Sequence, residues 1–182
     1  MKLIFLCLLI VLSAGCKNVN KNSTSQQAES TGQSSSNSDQ IKLAELKSWP
    51  ANLVVEIFYH AGMDDYSNQG MIGKDSCTNL IHNNGKDSHY SFIATQAELD
   101  KLLQLLNSYH TDNMHTEKHE GTIYDSPANE LTIRMNGKKI ELNSNATEEV
   151  KGKNKNDFMS CFDAVNDFIN QHIQLKKKNS TS

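Results

Sequence analysis

The chain has 182 residues, of which 37% are hydrophobic and 21% charged, with a formal net charge of −3. A balance of this kind is typical of one soluble globular domain and gives no electrostatic footprint for nucleic acid. The partners we expect therefore exclude nucleic acid.

The first 16 residues read as an export signal. An apolar run of ten residues, Leu3 to Leu12, is about half of the roughly 20 residues that cross a bilayer. Small residues follow and lead to Cys16, with Ser13 where leucine is commonest. This segment resembles the lipobox of bacterial lipoproteins. The resemblance implies cleavage after residue 15, lipidation of Cys16 and attachment to the cell envelope. An ordinary secretory signal, or an uncleaved core strand, is the alternative.

The segment after Cys16 is almost purely polar. Ser, Thr, Asn and Gln dominate it, and such a composition cannot bury enough apolar surface to offset the entropy of ordering. We predict a flexible tether over 16–44, one folded domain over 45–175 and a disordered basic tail over 176–182. By the lipoprotein resemblance, Lys17 after the lipidated cysteine favours the outer membrane, where the anchor would make the lipid membrane a partner.

Periodicity within the domain predicts an α+β fold. Alternating apolar residues from Leu53 to Tyr59 indicate a strand, and a hairpin follows that turns at 83–86. Thr95 and Glu98 form a capping box for a helix over 96–109. A short strand over 121–125, a hairpin turning at Asn136-Gly137 and a helix over 157–174 complete the pattern.

The expected order of the main elements is β-ββ-α-ββ-α. The economical packing is an antiparallel sheet of about five strands with both helices on one face.

Two cysteines remain in the domain after export. Cys77 and Cys161 would meet an oxidising compartment, where two leftover cysteines in one domain usually pair. We predict a disulfide between them, with a reactive thiol or a metal ligand as the alternative.

The segment "YHAGM", residues 59–63, and the order of elements after it resemble emfourin, a small bacterial inhibitor of thermolysin-like metalloproteases. The domain also resembles small lipoprotein domains of Gram-negative bacteria with the same order of elements. Gly62-Met63 stands where emfourin has a Gly-Gly pair followed by a large apolar residue, and Ala61 replaces the first glycine. The resemblance implies a protease inhibitor, and no inhibitory residue is carried over.

The densest polar segment contains three histidines, His110, His115 and His119. His115 and His119 are four apart, a spacing that on a helix places both imidazoles on one face as in zinc sites. No HExxH motif is present, however, and Asp112-Asn113 and Gly121 favour a solvated loop. Metal binding by these histidines is therefore the alternative to protein binding.

Catalytic motifs are missing from the sequence. There is no GxSxG elbow, and adjacent carboxylates such as those at 64 and 65 lie in predicted loops. We therefore predict that the chain is not an enzyme and carries no cofactor.

A predicted loop over 62–74 carries more apolar residues than solvent exposure explains, and loops on a rigid scaffold often bind partners. The hypothesis is a membrane-anchored lipoprotein that binds a protein, of the protease-inhibitor or toxin-immunity type. The proposed contact residues are Met63, Tyr66, Met71 and Ile72. Folding of this loop back onto the core is the alternative.

Overall fold

The computed structural model describes residues 40–119, 121 and 126–180, and within them eight strands form one antiparallel sheet. The strands are β1 (Val54–His60), β2 (Tyr66–Ile72), β3 (Cys77–Asn83), β4 (Lys86–Phe92), β5 (Thr116–Lys118), β6 (Ala128–Met135), β7 (Lys138–Ser144) and β8 (Glu148–Val150). In the sheet they follow the order β4-β3-β2-β1-β6-β7-β8-β5. The helices are α1 (Gln96–Ser108) and α2 (Asn154–Ser180), and two short 3-10 turns cover Leu43–Glu45 and Thr111–Asn113.

The predicted α+β class, antiparallel sheet and two helices are confirmed, but the expected number of strands was too low. Strands β2, β5 and β8 were not predicted. Strand β2 reads YSNQGMI, a polar segment with a glycine, and β5 and β8 have only three residues each. Most of the strand predicted over 121–125 lies outside the described residues.

One face of the sheet forms the core. Alternate residues of the neighbouring strands β1, β6 and β7 are aligned by register, so that Val55 lies opposite Ile133, which lies opposite Ile140. These side chains are at most 7% exposed. Helix α2 packs on this layer with residues at helical spacing, since the following side chains are all buried: Phe158, Cys161, Phe162, Val165, Ile169 and Ile173.

Strand β2 contains a glycine because α2 passes directly over it. A Cβ added to Gly70 would collide with Cδ1 of Ile169 on α2. Beside this contact, Asn68 Nδ2 donates to Asn166 Oδ1 at 3.1 Å. The close approach of helix and sheet therefore requires the glycine that made this strand look like a loop.

Helix α1 begins at the predicted capping box. Glu98 N donates to Thr95 Oγ1 at 3.3 Å, and Thr95 N donates to Glu98 Oε2 at 2.7 Å. The leucine stripe of Leu99, Leu102, Leu103 and Leu106 is buried as the pattern predicts. Local chemistry alone thus sets the start of this helix.

The folded domain begins before the predicted boundary at residue 45. Ile41 and Leu43 are 1% and 0% exposed, and Leu43 N donates to Asp112 Oδ2 at 3.1 Å. Trp49 is also buried and its backbone N–H donates to Asp100 Oδ1 at 2.7 Å. We call residues 40–49 the N-terminal strap, and the predicted tether over 16–44 extended too far.

The C-terminal prediction also needs correction. Helix α2 continues to Ser180, so most of the tail predicted to be disordered over 176–182 is helical. Lysines at the helix C-terminus are favourable there because the helix dipole is negative at that end.

The predicted disulfide is absent, because Cys77 and Cys161 are both buried free thiols. Cys77 lies opposite Phe92, whose ring stacks on His172 of α2 at a centroid distance of 4.5 Å. Cys161 lies about three helical turns before His172, roughly 16 Å along the helix. Its sulfur contacts Thr111 Oγ1 at 3.4 Å. The two thiols thus have different neighbours, and no disulfide joins them in the structure.

Candidate functional site

The most exposed large apolar side chain among the described residues lies between β1 and β2. Met63 is 82% exposed, on a tight connection over residues 61–65 that we call the Met63 loop. Ala61 N donates to Tyr66 O at 3.1 Å and closes the base of the loop. Gly62 has a φ of 73°, a left-handed conformation that suits glycine, and its N–H donates to His60 Nδ1 at 3.1 Å. The loop is short and internally bonded.

A histidine fixes the Met63 loop to the neighbouring hairpin. His82 Nε2 lies 2.9 Å from Asp65 Oδ1, and His82 Nδ1 lies 2.6 Å from Asp87 Oδ1. Asn84 N also donates to Asp65 O at 2.9 Å. We call His82 with its two aspartates the His82 clamp. Hydrogen bonds from Asp87 first and then Asp65 raise the pKa of His82 above its ordinary value.

The His82 clamp was not predicted from the sequence, although the pairing of His82 with Asp87 could have been. The predicted hairpin turn at 83–86 places His82 directly opposite Asp87, as the structure has them. Asp65 comes from a different connection and meets His82 only because β2 lies beside β3. The contact between Asp65 and His82 therefore depends on β2, a strand that was not predicted from the sequence.

The four predicted contact residues do not form one surface. Most of the predicted loop is strand β2, in which alternate residues face opposite sides of the sheet. Tyr66 packs against Tyr59 at a centroid distance of 5.9 Å on the helix-covered side. Met71 lines a groove of about 460 Å³ on the other face. Ile72 is 0% exposed, so its prediction as a partner contact is wrong. Only Met63 and the edge of Tyr66 remain at the loop.

The N-terminal strap enters the domain beside strands β7 and β8. Gln40 shares a surface pocket with Lys139 and Asn143 of β7 and with Glu148 of β8. The Met63 loop follows His60 at the end of β1.

The three histidines of the polar segment do not converge on one point. His110 has a left-handed φ of 53° beside the 3-10 turn, and His115 Nε2 lies 3.3 Å from Glu117 Oε1. His119 Nδ1 lies 3.8 Å from Glu149 Oε1 on β8. Among the described residues, no three His, Cys, Asp or Glu side chains are grouped as around a metal ion. The predicted His110, His115 and His119 site is not assembled.

Within residues 40–119, 121 and 126–180, no helix is both long enough and apolar enough to cross a membrane. The predicted lipidation site at Cys16 lies outside the described residues.

Neither known protein families nor curated proteins match this chain.

Protonated His82 should stabilise the fold, because its pKa is raised by two carboxylates that hold it in the folded state. A raised pKa contributes stability that is fully present below the unfolded value of about 6.5 and is lost as pH rises through the folded value. We expect His82→Gln to lower the melting temperature more at pH 5.5 than at pH 8.5. Asp87→Asn should lower the pKa of His82, measured by NMR, more than Asp65→Asn does. A melting-temperature difference that does not change with pH would contradict the clamp.

Proposed function

We propose that this chain is an envelope lipoprotein, anchored through Cys16, whose domain binds a protein partner through the Met63 loop. The observation that carries the proposal is the exposure of Met63, 82%, on a loop held by backbone and side-chain hydrogen bonds. A large apolar side chain in water is unfavourable, and here the surrounding loop prevents it from folding onto the core.

The form of the loop favours recognition of a protein surface. A rigid loop loses little conformational entropy on binding, because the hydrogen bonds of Asp65 already fix it. Methionine adds a flexible, polarizable side chain that adapts to an apolar pocket. The neighbouring ring of Tyr66 extends the contact area, since aromatic side chains contribute strongly to interface energy.

The proposed anchor allows the domain to reach a partner away from the lipid. A tether of about 24 residues has a typical reach of roughly 25–30 Å. The emfourin resemblance suggests a secreted protease as the partner, and an antibacterial toxin is the other form of the protein-binding hypothesis.

Met63→Ser should weaken partner binding about fivefold to thirtyfold, the range of one apolar interface contact of 1–2 kcal/mol. Its melting temperature should stay close to that of the wild type, because Met63 is 82% exposed. The matched control is Leu105→Ser, which removes an exposed apolar side chain on α1, outside the Met63 loop.

The partner can be sought with a photo-crosslinking residue at position 63, compared with the same residue at position 105 on α1. A cross-linked species specific to position 63 supplies the partner for affinity measurement. Equal affinity of Met63→Ser and wild type for that partner would exclude the loop as the contact surface.

A further inference from the structure

The sheet ends on one side at β4, a strand of seven residues whose outer edge is exposed. No other strand of the described residues pairs with that edge. Asn84 and Gly85 have φ of 49° and 72°, so a two-residue turn with positive φ joins β3 and β4. Counting from that turn, alternate residues of β4 bond to β3, and the backbone groups of Asp87, His89 and Ser91 face outward.

Helix α2 confirms this direction and brings positive charge to the edge. Lys176 Nζ donates to the outward carbonyl of Ser91 at 2.9 Å. Lys177 Nζ lies 5.3 Å from the centre of the Tyr90 ring. With Lys178, three consecutive lysines stand in the last turns of this helix, whose C-terminal part reaches β4. Positive side chains therefore lie at this edge although the whole chain is negative.

Two exposed apolar side chains flank the same edge. Ile93 immediately follows β4 and is 78% exposed, and Leu175 immediately precedes Lys176 and is 58% exposed. They are two of the four large apolar side chains that are most exposed among the described residues. An open strand edge with apolar residues beside it is a surface on which another strand gains both hydrogen bonds and buried area.

We propose that β4 accepts an extended acidic segment of a partner protein as a ninth strand. The segment would bond to the outward N–H and C=O groups of His89 and to those of Asp87 and Ser91. Its amide would replace Lys176 on the Ser91 carbonyl, and the released ammonium would pair with a carboxylate of the segment. This edge is separate from the Met63 loop, so the inference does not depend on the function proposed above.

A second copy of the chain is the competing occupant. Antiparallel pairing of two β4 edges centred on His89 would place Ser91 of one copy, with Lys176 on its carbonyl, opposite Asp87 of the other. Asp87 is the one carboxylate that a second copy offers among these outward residues, whereas an acidic segment offers several. We therefore propose the acidic segment, and the experiment includes the second copy as an outcome.

A fluorescent peptide of about ten residues, in which glutamate alternates with valine, is the probe. Fluorescence anisotropy with the full chain should show binding that weakens as salt rises from about 0.05 M to 0.5 M. Two control peptides carry N-methyl groups on every second amide, one set for each edge of the peptide strand. Each control keeps its charge but loses the N–H donors along one edge. We expect the control that loses the donors facing β4 to bind at least about tenfold more weakly.

The matched protein variants separate the backbone from the side chains. His89→Pro removes an outward N–H that β3 does not use, and it should weaken binding about tenfold, whereas His89→Ala should not. Lys176→Glu should weaken binding, and Lys153→Glu, which makes the same change of net charge elsewhere, should have a much smaller effect. Circular dichroism establishes that each variant is folded.

Three results would overturn the inference. The first is equal binding of the N-methylated and unmodified peptides, and the second is equal binding by His89→Pro and His89→Ala. The third is no binding at all, combined with a dimer by light scattering that His89→Pro dissolves, which would assign the edge to a second copy.

Discussion

Replacing both Ile41 and Leu43 by serine should lower the melting temperature by roughly 10–20 °C. Both side chains are at most 1% exposed, and loss of a buried Leu or Ile side chain costs about 2–5 kcal/mol. Domains of this size are stable by only about 5–15 kcal/mol, so the pair is a large fraction of the total. Thermal unfolding followed by circular dichroism measures the change.

Lys42→Ser is the matched control for this prediction, because Lys42 lies between the two buried residues and its side chain is 56% exposed. We expect its melting temperature to change by no more than a few degrees. A chain that begins at Glu45 should be destabilised like the double variant, because it lacks both buried residues. Equal melting temperatures for the double variant and Lys42→Ser would mean that the strap is not part of the core.

Both cysteines of the domain should be recovered as thiols, and neither should react in the native protein. Each is 0% exposed, and burial raises the pKa of Cys161 to about 11 and raises that of Cys77 as well. The thiolate is the reactive form, so native alkylation should be very slow. After unfolding in denaturant without a reductant, mass spectrometry should find both residues alkylated.

The same experiment tests the disulfide that was predicted from the oxidising environment outside the cytoplasm. Protein purified without a reductant should have the same melting temperature before and after treatment with one, because no bond is available to break. Unfolded protein in which Cys77 and Cys161 resist alkylation until a reductant is added would show that they pair. That result would contradict the free, buried thiols of the structure.

Features set by residues close in sequence were predicted well. The capping box of Thr95 and Glu98 and the two-residue turn at Asn136-Gly137 are both present, the latter with φ of 53° and 75°. These depend on hydrogen bonds and dihedral angles within four or five residues, which the sequence states directly. The buried faces of β1 and α1 followed from their periodicity for the same reason.

Features set by distant contacts were predicted poorly. Strand β2 has a buried glycine and a buried asparagine because Ile169 and Asn166 of α2 pack on it, and nothing near β2 in the sequence states that. Met71 and Ile72, predicted to lie together on a loop, fall on opposite faces of that strand. The candidate site lost two of its four residues to this single omission.

By itself, the sequence determined the class of the domain, the positions of its hairpins and the start of α1. Only the tertiary structure decided where the fold begins, which cysteines can meet and which apolar residues stay in water. Ile41 is buried because Asp112 holds the strap against α1, while Met63 is exposed because Asp65 is held by His82. Hydrogen bonds between residues far apart in the chain thus help to determine which apolar residues are buried, and neither composition nor spacing predicts those bonds.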